Sequence, residues 1–195
     1  AALELAGNQV ANLAPLTGLK QLQLLLLTSN RVSDIGPIGT LPALQYIELS
    51  HNAVGELQPL SALTNLASVY VGNNKIKSLA ALTNLPRLVT LYAETNAITS
   101  LEGVQNLSRL SGVSLSGNRI RDIGPLTGLR APAFIFLERN RIRDLSPLTA
   151  WLTNDLSGAR NFAPYLQLYL KGNPLNSRSK KLLTEWSTAG VRINP

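Results

Sequence analysis

The sequence predicts an α/β solenoid, a curved right-handed superhelix with a parallel concave sheet, short helical turns on the convex side and a C-terminal capping helix. The main observation is that Asn recurs seven times, from Asn8 to Asn140, at a constant spacing of 22 residues. Before each Asn, apolar residues alternate with other residues, as they do in a strand. Because one such repeat cannot bury its own apolar face, stacked repeats must share one core.

Each repeat follows the same pattern of positions. When the recurring Asn is placed at position 9, positions 1, 4, 6 and 11 are apolar, as in Leu44, Ile47, Leu49 and Val54 around Asn52. Positions 4 and 6 therefore face the core, and positions 3, 5 and 7 face outward. A Pro-Leu pair follows in most repeats, and it favours a tight turn because Pro fixes φ and has no N–H to donate.

The Asn at position 9 is predicted to be structural. Its amide can turn inward where the strand ends and satisfy backbone groups that would otherwise be buried without a partner. We call this column the Asn ladder, and it comprises Asn8, Asn30, Asn52, Asn74, Asn96, Asn118, Asn140 and Asn173.

The last repeat contains an insertion, because Asn173 follows Asn140 by 33 residues, one period plus eleven. We therefore expect about eight repeats in residues 1–176, with an insertion near residues 151–164 that we interpret as a loop. Its Trp151 and Phe162 either serve recognition or pack back onto the last repeats, and the sequence favours neither.

The C-terminal residues 177–195 are predicted to cap the solenoid. Leu182, Leu183 and Trp186 recur at helical spacing, and Ser177 or Ser179 can cap the start of this helix. Gly190 can end it. An amphipathic helix here would cover the apolar edge that the last repeat exposes.

Composition excludes several classes of function. The chain has no Cys, which excludes disulfides, thiolate zinc sites and a cysteine nucleophile. No apolar run approaches the roughly 20 residues that a membrane helix needs. The one His, His51, has no predicted acid or nucleophile beside it, so we expect no catalytic residue, metal or cofactor.

Six of the ten aromatic residues fall at the outward positions 3 and 5. They are Tyr46, Tyr70, Tyr92, Phe134, Phe136 and Tyr169, and we expect all six to point to solvent on the concave face. Aromatic residues also favour strands for cross-strand packing alone. Exposed adjacent rings are nevertheless what interfaces use, so we expect a partner-binding face, bordered by Glu48, Glu94 and Glu138 and suited to a basic partner surface.

A basic edge lies just past the Asn ladder and accounts for the charge asymmetry of the chain. Residues 1–118 contain six Lys/Arg and six Asp/Glu, whereas residues 119–195 contain twelve and five. The basic edge comprises Lys75, Lys77, Arg119, Arg121, Arg139, Arg141 and Arg143. It either contacts an anionic polysaccharide, acidic protein or nucleic acid, or its arginines pair with Asp122 and Asp144 at the surface. Nucleic acid is the least favoured, since no recognised binding motif accompanies the charge.

Two segments carry a family resemblance. Residues 118–129 (NRIRDIGPLTGL) and 140–149 (NRIRDLSPLT) resemble the 22-residue leucine-rich repeat of internalin-like bacterial surface proteins, N-x-I-x-D-I-x-P-L-x-x-L. Residues 172–177 (GNPLNS) are similar to the closing segment of exported bacterial repeat proteins. The resemblance implies a secreted or surface-exposed module, although a cytoplasmic protein remains an alternative. It also implies binding through the concave sheet.

The sequence therefore predicts a non-catalytic protein-binding module that uses its concave face. The partner expected first is another protein, and a surface glycan is the next candidate because aromatic rings also stack on sugars. The alternatives are a structural subunit of a larger surface assembly, a carbohydrate-binding module, and an intracellular scaffold similar to the repeat proteins that escort phosphatases. The sequence does not indicate an oligomeric state.

Overall fold

The computed structural model describes all 195 residues and contains one sheet of nine parallel strands in chain order. The strands are β1 (Ala2–Glu4), β2 (Leu24–Leu26), β3 (Tyr46–Glu48), β4 (Ser68–Tyr70), β5 (Thr90–Tyr92), β6 (Gly112–Ser114), β7 (Phe134–Phe136), β8 (Gln167–Tyr169) and β9 (Arg192–Asn194). The predicted solenoid is thus confirmed. From β1 to β7 the register follows the sequence period, as when Leu25 pairs with Ile47 and Ile47 pairs with Val69.

Short 3₁₀ turns connect the strands and stack on one another along the other side of the solenoid. They are Ala14–Gly18, Gly36–Thr40, Gln58–Leu60, Ala80–Leu82, Val104–Asn106, Gly124–Gly128 and Ser146–Leu148. Five of these seven turns have Pro in their first two positions, where a missing N–H costs nothing.

The core lies between the sheet and the turns as one cluster of 51 buried apolar residues. In most strands the middle residue is buried and its two neighbours are partly exposed, as Val69 lies between Ser68 and Tyr70. The neighbours therefore face the concave side. Burial of each Leu, Ile or Val side chain stabilises the fold by about 1.5–3 kcal/mol, so the core positions hold the strands in register.

The Asn ladder connects each repeat to the one before it. The Nδ2 of Asn52 donates to the carbonyl oxygens of Leu27 and Leu49, at 2.8 and 2.9 Å. Its Oδ1 accepts from the backbone N–H of Val32 at 2.9 Å. The same three bonds recur in each later repeat, and Asn118 and Asn140 are buried. The amide thus satisfies its own turn and the neighbouring turn at once.

The insertion begins as a helix, which corrects the loop that we expected. Helix α1 spans Thr149–Ser157, and Leu152 on it is fully buried. The indole N–H of Trp151 donates to the carbonyl oxygen of Leu129 at 3.1 Å, and its ring stacks on Phe162 at 4.5 Å. Of the two interpretations of this segment, packing onto the last repeats is therefore the one that the structure bears out.

Asp155 holds the end of the insertion. Its carboxylate accepts from the backbone N–H groups of Asn161, Phe162 and Ala163, at 2.8, 3.1 and 2.8 Å. Partial burial opposes ionisation, but these three N–H groups and the charge of Arg160 outweigh it and hold the pKa of Asp155 below its ordinary value. The ionised carboxylate therefore stabilises the turn that leads the chain into β8.

The C-terminal cap consists of helix α2 (Ser177–Thr188) and strand β9, a ninth strand beside β8. The helix is capped by Asn176 and not by Ser177 or Ser179, because the Oδ1 of Asn176 accepts from the Ser179 N–H at 2.7 Å. Ser179 is buried, and its hydroxyl accepts from the Leu145 N–H and donates to the Arg143 carbonyl oxygen. Trp186 is 2% exposed and joins the core. The cap is therefore attached to the last repeats by both apolar contact and hydrogen bonds.

We predict that Asn118→Ala lowers the free energy of unfolding by about 2–4 kcal/mol, because it leaves several buried backbone groups without a partner. These are the carbonyl oxygens of Ala93 and Leu115 and the N–H of Ile98. Asn8→Ala is the control, since Asn8 is exposed and its amide donates only within its own repeat. Urea unfolding followed by circular dichroism measures both. Equal losses in the two variants would contradict a role for the buried bonds.

We predict that Asp155→Ala costs about 1–3 kcal/mol at pH 7, because it leaves three backbone N–H groups unpaired. Since the pKa of Asp155 is lowered by folding, its contribution is complete above the unfolded pKa of about 3.9 and is lost as pH falls through the lower folded value. The stability difference between the native chain and the variant should therefore shrink in acid.

The matched control is Asp34→Ala, which removes a carboxylate that accepts one backbone N–H, from Gly36. Its loss at pH 7 should be clearly smaller. A difference between native chain and Asp155→Ala that stays constant from pH 7 to pH 2 would contradict the proposed anchor.

Candidate functional site

The candidate site is the concave face, where the six predicted aromatic residues stand at the ends of strands β3, β4, β5, β7 and β8. The register brings Tyr70 beside Tyr92 and Phe136 beside Tyr169. Neighbouring residues in parallel strands lie about 4.8 Å apart, so their rings are in contact.

The rings form two separate groups. The first aromatic cluster consists of Tyr46, Tyr70 and Tyr92, with successive ring centroids 5.1 and 5.2 Å apart. The second aromatic cluster consists of Phe134, Phe136 and Tyr169, with successive centroids 6.4 and 4.4 Å apart. Both arrangements are tilted, edge or stacked contacts of the kind that aromatic pairs prefer.

The rings are less exposed than we expected. Phe134 is 41% exposed, whereas the other five aromatic residues are only partly exposed. The reason is that neighbouring rings cover one another. Cross-strand packing and an accessible surface thus occur together here, because each ring contacts its neighbour and still presents some of its area to solvent.

Two of the tyrosine hydroxyls differ in their surroundings. Burial raises the pKa of Tyr46 to about 12, with further contributions from Tyr70 and Glu48. The hydroxyl of Tyr169 donates to the Oε1 of Gln167 at 2.9 Å. The Tyr46 ring therefore adds no negative charge to the concave face near neutral pH.

Strand β6 separates the two clusters because it carries small residues. Ser114 stands between Tyr92 and Phe136 in the register, and Gly112 stands between Thr90 and Phe134. The ring of Tyr92 leans over β6, 3.7 Å from where a Cβ of Gly112 would stand. A shallow cavity of about 340 Å³ opens here.

The cavity has a mixed polar and aromatic lining. It is lined by Tyr92, Glu94, Thr95, Ser114, Ser116, Phe136, Glu138 and Arg139. Sequence reasoning missed Thr95, Ser114 and Ser116. The sequence does contain a signal for this cavity. The sixth repeat has small residues, Gly112 and Ser114, at positions 3 and 5, whereas the repeats on either side have an aromatic residue at position 5.

The three acidic residues beside the rings have different environments. Glu48 turns back on its own strand end, and its Oε1 accepts from the Ser50 N–H at 2.7 Å. Glu94 lies so close over Gly72 that a Cβ there would overlap its carboxylate. The Oε2 of Glu94 is buried and has no hydrogen-bond partner. Glu138 borders the cavity, and its backbone N–H donates to the Ser116 hydroxyl.

The predicted basic edge is not one continuous site. Arg121, Arg141 and Arg143 line a second cavity, of about 430 Å³, with Asp144 and Pro174. Arg139 instead borders the concave cavity, and its side-chain stem packs over Gly172. The remaining members, Lys75, Lys77 and Arg119, are exposed and line neither cavity.

Three further observations concern other kinds of site. His51 is exposed in a left-handed turn, and its Nε2 lies 3.4 Å from the Nδ2 of Asn73. No group of three or more His, Asp or Glu side chains is placed to hold a metal ion. None of the helices has the length and apolar character to span a lipid bilayer.

Sequence comparison identifies the repeat. The family model described as Leucine Rich repeats (2 copies) matches residues 20–62 and 42–84. No curated protein matches the chain.

Structural comparison extends the likeness over most of the chain. Internalin C2 of Listeria monocytogenes superposes with a TM-score of 0.81 at 25% identity, covering 92% of this chain and 74% of that one. A leucine-rich-repeat protein of Leptospira interrogans gives a TM-score of 0.82 at 21% identity and covers 100% of this chain. The plant peptide hormone receptor RGFR1, solved in complex with RGF2, gives 0.72 at 24% identity over 89% of this chain.

This chain spans only part of the longer relatives, 54% of the Leptospira protein and 32% of the plant receptor. The chain has a leucine-rich-repeat fold, and its solenoid is similar to that of internalin C2.

Proposed function

We propose that this chain is a non-catalytic protein-binding module that holds another protein against its concave face. The observation that carries the proposal is the pair of aromatic clusters on either side of the cavity over β6. The leucine-rich-repeat fold commonly serves as a binding scaffold, and RGFR1 shows that a protein of this fold can be solved with a bound partner.

The rings suit binding because they are held in place before a partner arrives. Each is attached to a strand whose position is set by the core and the Asn ladder, and each packs against another ring. Little conformational entropy is therefore lost on binding, and most of the free energy gained by desolvating the rings remains available for affinity.

The charges around the cavity favour a basic group on the partner. Glu94 and Glu138 border the cavity, and the Oε2 of Glu94 is buried without a hydrogen-bond partner. A Lys or Arg side chain placed between Tyr92 and Phe136 would lie beside the two carboxylates and contact the faces of both rings. Complementary charge also speeds association and selects among partners.

The proposed setting is the outside of a bacterial cell, where the chain is either secreted or attached to the surface. The likeness to internalin C2 supports this setting, and so does the similarity of the repeat unit and of the closing segment at residues 172–177. The partner in this setting is another protein exposed to the same environment.

The test is a pull-down from secreted and surface proteins, followed by titration calorimetry with the purified partner that is captured. We predict that the Tyr70→Ala, Tyr92→Ala, Phe136→Ala triple variant binds that partner about 100-fold more weakly, because truncation of several anchor residues costs more than about 2 kcal/mol. Glu94→Gln, with its shape preserved, should weaken binding less and reduce the dependence on salt.

Tyr165→Ala is the matched control, because Tyr165 is 64% exposed and lies outside both aromatic clusters. It should change affinity by less than about twofold, as is typical of residues outside an interface. Circular dichroism and urea unfolding must show that the triple variant is folded. A folded triple variant that binds as tightly as the native chain would mean that the rings serve packing alone.

A further inference from the structure

The cavity beside the sixth and seventh repeats has a lining unlike that of the concave face. Its volume is about 430 Å³ and its lining consists of Arg121, Arg141, Arg143, Asp144 and Pro174. Arg121 and Arg143 occupy the same position in successive repeats, and Arg141 lies two positions earlier in the seventh repeat. Three cations thus converge on one cavity that has a single acidic residue.

The backbone beneath these arginines is held on both sides. The N–H of Arg141 donates to the Ile120 carbonyl oxygen at 2.8 Å. The carbonyl oxygen of Arg143 accepts from the Asn176 N–H at 2.9 Å and from the Ser179 hydroxyl at 3.1 Å. The cap and the preceding repeat therefore fix the backbone positions of Arg141 and Arg143.

The neighbouring carboxylates accept hydrogen bonds within their own turns. The Oδ1 of Asp122 accepts from the Gly124 N–H at 2.8 Å. Asp144 accepts from the Ser146 N–H at 2.9 Å and from its hydroxyl at 2.7 Å. These bonds tie both carboxylates to their own backbone, and the guanidinium groups keep their N–H donors for a ligand.

We propose that Arg121, Arg141 and Arg143 form a binding site for the sulfate or phosphate ester groups of an anionic polysaccharide. Guanidinium groups bind tetrahedral oxyanions through paired, charge-assisted hydrogen bonds. The volume of the cavity falls within the range of about 300–1,000 Å³ found for small-ligand sites, so a sugar unit fits beside its ester group.

The surroundings favour a polysaccharide over a nucleic acid or an acidic peptide. Proteins that bind single-stranded nucleic acid combine positive charge with aromatic side chains that stack on bases, and no aromatic side chain lines this cavity. No large apolar side chain is available to anchor a peptide either. Arg119 lies two positions before Arg121 in the sixth repeat and adds positive charge beside the cavity, which favours a polyanion.

The test uses the full chain and calorimetric titration with two polymers, a heparin octasaccharide and a phosphorylated dextran. The first carries sulfate groups and the second carries phosphate esters, so the two titrations distinguish the two kinds of anionic group. We expect at least one of them to bind, and its affinity to fall about 100-fold in Arg121→Gln, Arg141→Gln, Arg143→Gln, because the charge-assisted hydrogen bonds of three arginines are lost. The matched control, Lys20→Gln, Arg109→Gln, Arg130→Gln, removes the same charge elsewhere and should lose less than about threefold. Desulfated octasaccharide should not bind.

Three results would overturn the site. One is equal weakening in the two triple variants, which would indicate net charge alone. Another is the absence of binding by either polymer. The third is an oligonucleotide or a polyglutamate peptide of matched charge that binds more tightly than either polymer. The variant that lacks the Tyr70, Tyr92 and Phe136 rings should keep its affinity for the polysaccharide. The proposed polysaccharide site and the proposed protein-binding face can therefore be tested separately.

Discussion

The hydrogen bonds of the Asn ladder are the constraint on which the rest of the solenoid depends. Each strand ends in a turn that is covered by the neighbouring repeats, where free N–H and carbonyl groups would be costly. One amide side chain satisfies its own turn and the preceding one, so every repeat must return to the same place. The insertion obeys this rule, because Asn173 still donates to the Leu137 carbonyl oxygen at 2.8 Å and accepts from the Ile142 N–H at 3.1 Å.

A fixed distance between repeats has a direct consequence for the surface. Core and ladder positions are used for stacking, whereas positions 3, 5 and 7 are not required to repeat. Their side chains nevertheless inherit the regular spacing, so residues on successive strands are aligned without loops or hinges. Tyr46, Tyr70 and Tyr92 form a continuous cluster for this reason, and Arg121 and Arg143 lie side by side on the edge. Rigid positioning of this kind lowers the entropic cost of binding.

The same regularity explains how much of the fold the sequence predicts. The strands, the turns and the buried column follow from the period, because each repeat makes the same contacts. Prediction fails where the chain leaves the period. Helix α1 and its anchor at Asp155 depend on N–H groups six to eight residues away, which no repeat pattern contains. Ser179 resembles an N-cap in sequence, but its hydroxyl bonds with the seventh repeat, and Asn176 takes the capping role.

The candidate site, in contrast to the fold, lies where outward-facing residues differ in size from the residues at the same positions of the neighbouring repeats. The aromatic positions were predictable from alternation alone, whereas the cavity was not. Ser114 lines a cavity because the larger side chains of Tyr92 and Phe136 stand on either side of it. This arrangement can be recognised only when the register of the three strands is known. In a solenoid, the positions that stack on the next repeat must carry similar residues in every repeat. Differences at positions that stacking leaves free, such as the small residues of β6 and the paired arginines of the last repeats, are therefore where selection for a particular partner can act.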